Sequence, residues 1–180
     1  MLRANPKGAA VQKPELTLDF TVISPTSRIS AALHGWRAKC LQRLVRLDLP
    51  VPQTVALPAP TVRAIAAGHP VDSRAILAHF GDAPLISVRP SPENPDWGGP
   101  ATILNIGMNA ARHVRLVQSH GQVAADALYL RFVQSYATHV ARLDPDEFDA
   151  GRPTADALRN ALRHYAHEMD EPFPEDPARQ

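Results

Sequence analysis

The chain has 180 residues, 44% of them hydrophobic and 21% charged, and its 19 basic and 18 acidic side chains leave a net charge of +1. That length suits one domain, or one domain with a smaller subdomain, and can bury a core without metals or disulfides. The balanced charge provides no field to draw nucleic acid or a membrane surface, and no apolar run approaches the roughly 20 residues that span a bilayer.

Cys40 is the only cysteine, which fits a reducing compartment. The stretch from Met1 to Lys13 is polar and lacks the apolar centre of a secretory signal. A cytoplasmic protein is therefore expected. Proline is abundant, at 18 residues, many of them in the stretches 50–60, 84–100 and 172–177. Proline has no amide donor and a fixed φ, so these stretches read as linkers, loops or a tail.

In chain order, residues 1–14 read as disordered. Residues 17–23 are β-branched and aromatic and read as a strand. Ser24-Pro25-Thr26-Ser27 breaks the chain and offers helix caps. From Ile29 the apolar residues Leu33, Trp36, Cys40, Leu44 and Leu47 recur at three- and four-residue spacing, the mark of an amphipathic helix whose stripe, Cys40 included, faces a core. Gly35 interrupts this pattern, so the helix proper is expected to start near Trp36. Residues 51–57 are a short β-prone run. Residues 60–67 and 72–80 read as short helices, the second capped by Asp72. Residues 85–88 read as a strand ending at Arg89, and 90–101 as a long Pro/Gly loop, a kind of segment that often carries function.

From Asn109 on, the pattern turns helical. Asn109 caps a helix to about Ser119. A long helix carries Val123, Ala127, Leu130, Val133, Tyr136, Val140 and Leu143. Thr154 caps a last one with Leu158, Leu162, Tyr165 and Met169. The expected fold class is thus α+β: an α/β part over 15–108, an all-helical subdomain over 109–170, and a proline-rich acidic tail over 171–180.

Several features could carry chemistry. The His34-Gly35-Trp36-Arg37-Ala38 turn opens a helix, and amides at a helix start favour anions; the same residues also suit an ordinary amphipathic helix with Trp36 in the core. Arg89, at a strand end, points either into a ligand crevice or into a surface ion pair. The Asp96–Thr102 run holds Gly98 and Gly99, which permit close backbone approach or a hinge, or simply a surface loop. His164 and His167 share a helix face but lack a third metal ligand at sensible spacing, and read as surface histidines. Ser119-His120 reads as a helix end. No intact glycine-rich phosphate loop, metalloprotease helix or serine-nucleophile elbow is present. No catalytic residue and no metal ligand is assigned.

Taken together, the motifs Leu49-Pro50-Val51-Pro52, Ile86-Ser87-Val88-Arg89, Thr102–Asn109 (T-I-L-N-I-G-M-N), Tyr129–Tyr136 (Y-L-R-F-V-Q-S-Y) and Phe173–Pro177 (F-P-E-D-P) resemble, in that order, the start of pyruvate, phosphate dikinase. The resemblance covers roughly residues 29–180. It implies an ATP-grasp-like nucleotide-binding region with a helical insert, ATP with magnesium as cofactor, and a phosphotransferase that in full length phosphorylates a histidine on a swivelling domain. Nucleotide or phosphate contacts would then run through Arg37 and Arg89, with Gly35, Gly98, Gly99 and Thr102 around them and the 96–102 loop closing over.

The departures bear on activity. The family's G-G-K-G falls on Gly35-Trp36-Arg37-Ala38, so arginine replaces the phosphate-binding lysine and bulkier residues replace two glycines. The S-G-A-R after the family's arginine becomes Pro90-Ser91-Pro92-Glu93, its P-G becomes Trp97-Gly98, and the acidic residue before T-V-L-N becomes Ala101. The family's magnesium carboxylates, phosphohistidine and pyruvate barrel would follow beyond residue 180. The resemblance therefore implies a segment inactive by itself, completed by a separate chain or by self-association. The alternative expectation is a catalytically dead paralogue acting as an interaction or regulatory module.

Overall fold

The computed structural model describes residues 19–180, apart from 83, 95, 97, 98, 149, 150, 152 and 153. The expected disordered stretch 1–14 and the start of the expected strand 17–23 lie outside the described residues. The fold mixes helix with two small antiparallel sheets of two strands each, among the described residues.

The first sheet pairs β1 (Thr21–Val22) with β2 (Val55–Ala56), Thr21 opposite Ala56. Between them runs α1 (Ala31–Arg46), started by Ser30, whose hydroxyl accepts the Leu33 amide at 3.2 Å. Then follow α2 (Ala59–Ala66), with Pro60 in its first turn where a missing amide costs nothing, and α3 (Arg74–Leu77), continued by a tighter turn to Phe80. The N-cap of α3 is Ser73 and not the expected Asp72, whose carboxylate accepts the Arg74 amide at 3.0 Å.

The second sheet is a hairpin of β3 (Ile86–Val88) and β4 (Ile103–Ile106), with Ile86 opposite Ile106 and Val88 opposite Ile103. The sequence reading places no strand at 103–106. The helices α4 (Ala110–His120), α5 (Gln122–His139) and α6 (Ala155–Met169) follow. Asn109 and Thr154 cap α4 and α6 as expected, accepting the Arg112 and Ala157 amides at 2.9 and 3.1 Å. Gly121, at φ 83°, ends α4 and starts α5, so one glycine turns the chain between two helices.

The main core belongs to the second half. Ile103, Ile106 and Met108 of the hairpin region meet Tyr129, Phe132, Val133 and Tyr136 of α5, and Leu158, Ala161 and Tyr165 of α6. Phe173 closes it, its ring centroid 5.0–6.3 Å from those of Tyr129, Phe132, Tyr136 and Tyr165. The 171–180 segment is tied down with it. Gln180 accepts the Gly107 amide at 2.7 Å and donates to Met108 O at 2.9 Å, while Glu175 accepts the Ala110 amide at 3.0 Å at the open start of α4.

The first half buries far less, with Ile29, Ala38 and Ala56 packed beside Ile23. Here the expected stripe of α1 is corrected. Leu33, Leu44 and Leu47 are 42%, 39% and 69% exposed, and Cys40 is exposed as well. Trp36 is half-buried under the Arg43 guanidinium rather than in the core. The buried face instead carries His34, Gly35, Ala38 and Gln42. The reason is the company on that side. The Ser24–Ser27 turn offers backbone oxygens, and Gln42 Nε2 reaches Ser27 O at 2.5 Å and Ser24 O at 3.2 Å. Hydrogen bonding to a polar turn chooses the face, and hydrophobic periodicity does not.

Candidate functional site

Of the expected site residues, Gly35 and Arg37 lie where α1 breaks, and Arg89 adjoins them through Pro90. Gly35 adopts φ 79°, ψ 168° inside α1, a conformation open to glycine and strained for other residues. The chain before it ends at His34, and the helix restarts at Trp36. Into this break comes the beginning of the β3–β4 loop. The Trp36 amide donates to Pro92 O at 2.8 Å, the Ala38 amide to Ser91 Oγ at 3.1 Å, and Ser91 Oγ to His34 O at 2.7 Å. Arg37 Nε donates to Pro90 O at 3.0 Å.

Because Arg89 immediately precedes Pro90, these contacts bring Arg37 and Arg89 to one place from positions far apart in the chain. The hairpin register adds Thr102: Val88 pairs with Ile103, so Arg89 and Thr102 flank the loop end of the hairpin. Arg37 and Arg89 are both exposed, and Arg89 makes no hydrogen bond or ion pair with another described residue. Gly99 lies farther along the loop, exposed, at φ 53°. Gly98 lies outside the described residues.

The fit to a phosphate group is divided. Arg37 and Arg89 are exposed cations, a residue type whose forked donors match phosphate oxygens, although Arg37 Nε already donates to Pro90 O. The backbone donors do not remain open. The Trp36 and Ala38 amides, which stand where the resemblance places phosphate-cradling amides, are already satisfied by Pro92 and Ser91. Any anion here is held by side chains and not by a backbone cradle.

A second polar centre lies in the helical half, and the sequence reading misses it. Asp126 on α5 is only 2% exposed, and its Oδ1 is 2.7 Å from both His113 Nε2 on α4 and Gln122 Nε2. Tyr129 is one turn along, and its hydroxyl donates to Glu175 at 3.5 Å. Burial, then the Glu175 carboxylate, pushes the Tyr129 phenol well above its ordinary range. These residues edge a largely apolar cavity of about 870 Å³ between α4, α6 and the 171–179 segment. Asp126 satisfied by partners on both helices works as a clamp between α4 and α5. The spacing from His113 to Asp126 crosses a helix turn-around, so no sequence period reveals it.

No protein-family model matches the chain, and no curated protein matches it.

Proposed function

We propose that the chain is the ATP- or phosphate-binding part of a phosphotransferase resembling the front of pyruvate, phosphate dikinase. The observation that carries this reading is the fastening of the Gly35–Ala38 turn onto Pro90–Pro92, directly after Arg89. It joins, at one exposed end, the two arginines to which the resemblance gives the phosphate contacts. An ATP-grasp-like frame is part of the same proposal and rests on the resemblance.

In this reading Arg37 and Arg89 neutralise and orient the phosphates. Magnesium, when bound with the nucleotide, would offset the charge that develops during phosphoryl transfer. Among the described residues, the one group of three carboxylate and imidazole donors is built from the Pro145–Phe148 turn and α6.

A second reading has a specific observation in its favour. The amides at the α1 break are filled by the chain's own oxygens, and Leu33, Leu44 and Leu47 of α1 are exposed. A closed phosphate turn beside an uncovered apolar stripe suits an interaction module that has lost the chemistry. Ligand-dependent unfolding separates the two: Mg-ATP stabilises the folded chain through Arg89 in the first reading and does nothing in the second.

A further inference from the structure

Three side chains with metal-binding chemistry converge in the helical half. Glu147 comes from the 3-10 turn Pro145–Phe148, and His164 and Glu168 come from α6, one turn apart on the same face. One donor atom from each lies within 4.8 Å of the other two, and His164 Nε2 is 2.9 Å from Glu147 Oε2. The third ligand that His164 lacks in the sequence arrives from a different element, which is why helix spacing conceals it.

The arrangement is built on the core and not only on solvent-facing side chains. Phe148, beside Glu147, is 3% exposed, and its carbonyl accepts Gln134 Nε2 at 2.6 Å. The Phe148 and His164 ring centroids are 5.0 Å apart, so the imidazole packs beside the residue that anchors the turn. A Glu147–His164 contact alone would be an ordinary exposed pair of small worth. Glu168 makes it a triad.

We propose that Glu147, His164 and Glu168 form a binding site for a divalent transition-metal ion of the zinc class. An imidazole with two carboxylates suits such ions, whereas magnesium and calcium favour oxygen donors alone. Three protein ligands leave the fourth tetrahedral position to water. Donors around zinc at about 2.0–2.1 Å stand roughly 3.3 Å apart. The glutamates close that gap by turning their exposed side chains, replacing the hydrogen bond between Glu147 and His164 with two bonds to the ion. The ligand donors bind deprotonated, so protons compete with the ion.

The test is calorimetric titration of the full chain with zinc chloride, for the wild type, Glu147→Gln, His164→Ala, Glu168→Gln and His167→Ala. The expected result is one zinc per chain in the wild type and in His167→Ala. Affinity falls by at least about tenfold in each of the other three, and falls in the wild type as the pH is lowered. Glu168→Gln changes an exposed side chain and keeps the fold, so its loss of binding is not a loss of structure. Absence of wild-type binding up to millimolar zinc would overturn the proposal. So would binding that survives both His164→Ala and Glu168→Gln, or that is lost equally in His167→Ala.

Discussion

Gly35 is pressed against Ser91: a β-carbon built on the glycine would stand 1.6 Å from the Ser91 carbonyl oxygen. No real side chain tolerates that distance, and the obstacle is backbone, which cannot swing aside. The break in α1 and the first residues of the β3–β4 loop are therefore one unit. Whatever Arg37 and Arg89 do, they do it from a junction that needs glycine at this position.

Gly35→Ala should accordingly be costly. Its positive φ and the collision with Ser91 together predict a loss of roughly 3 kcal/mol or more. Gly121 supplies the control, having φ 83° but open space where a β-carbon would go. Gly121→Ala should cost only the conformational penalty of about 1–3 kcal/mol. Denaturant midpoints of the two variants measure the difference. Equal losses would mean that Ser91 does not lie against Gly35.

Cys40 should react as a surface thiol. It lies on the exposed face of α1 with Leu44 and Leu47. A thiol reagent should label it fully in the native protein, without denaturant, and Leu47→Ala should change stability by less than about 0.5 kcal/mol. Labelling that waits for unfolding would restore the stripe to a core.

The three tyrosines predict the alkaline limit of the fold. Tyr129, Tyr136 and Tyr165 are all buried, and burial raises each phenol above its ordinary value of 10.0. A phenol raised in the folded state keeps its proton there while the unfolded chain gives it up. Stability from this source is thus whole below pH 10 and drains away as the pH rises beyond it. Tyrosinate absorbance should appear late and in step with loss of helix by circular dichroism. Early titration of the phenols in a still-folded chain would contradict the buried cluster.

How far the fold is legible in the sequence differs between the two halves. The caps Asn109 and Thr154 and the periodic run of α5 and α6 are local signals, and the helices they announce are present. The face of α1 is not local. Its stripe reads as core, but a polar turn at Ser24–Ser27 recruits Gln42 and rotates the helix the other way. Phe173 falls in a stretch that reads as tail, yet its ring fills the space between α5 and α6, because aromatic burial outweighs the prolines around it. At the site, the arginines are visible through the resemblance, while the filling of the Trp36 and Ala38 amides is not. It depends on residues more than fifty positions away folding back onto the turn.

The central claim is that this junction binds a polyphosphate through Arg37 and Arg89, and the most direct measurement is thermal unfolding with and without millimolar Mg-ATP, in the wild type and in Arg89→Ala. Ligand at ten times its Kd adds about 1.4 kcal/mol to the folded state, which for a chain of this size is roughly 3–6 °C. The account predicts a rise of that order in the wild type and its loss in Arg89→Ala, with the unliganded midpoints alike because Arg89 is exposed and unpaired among the described residues. An unchanged wild-type midpoint, or a rise that persists without Arg89, would contradict it.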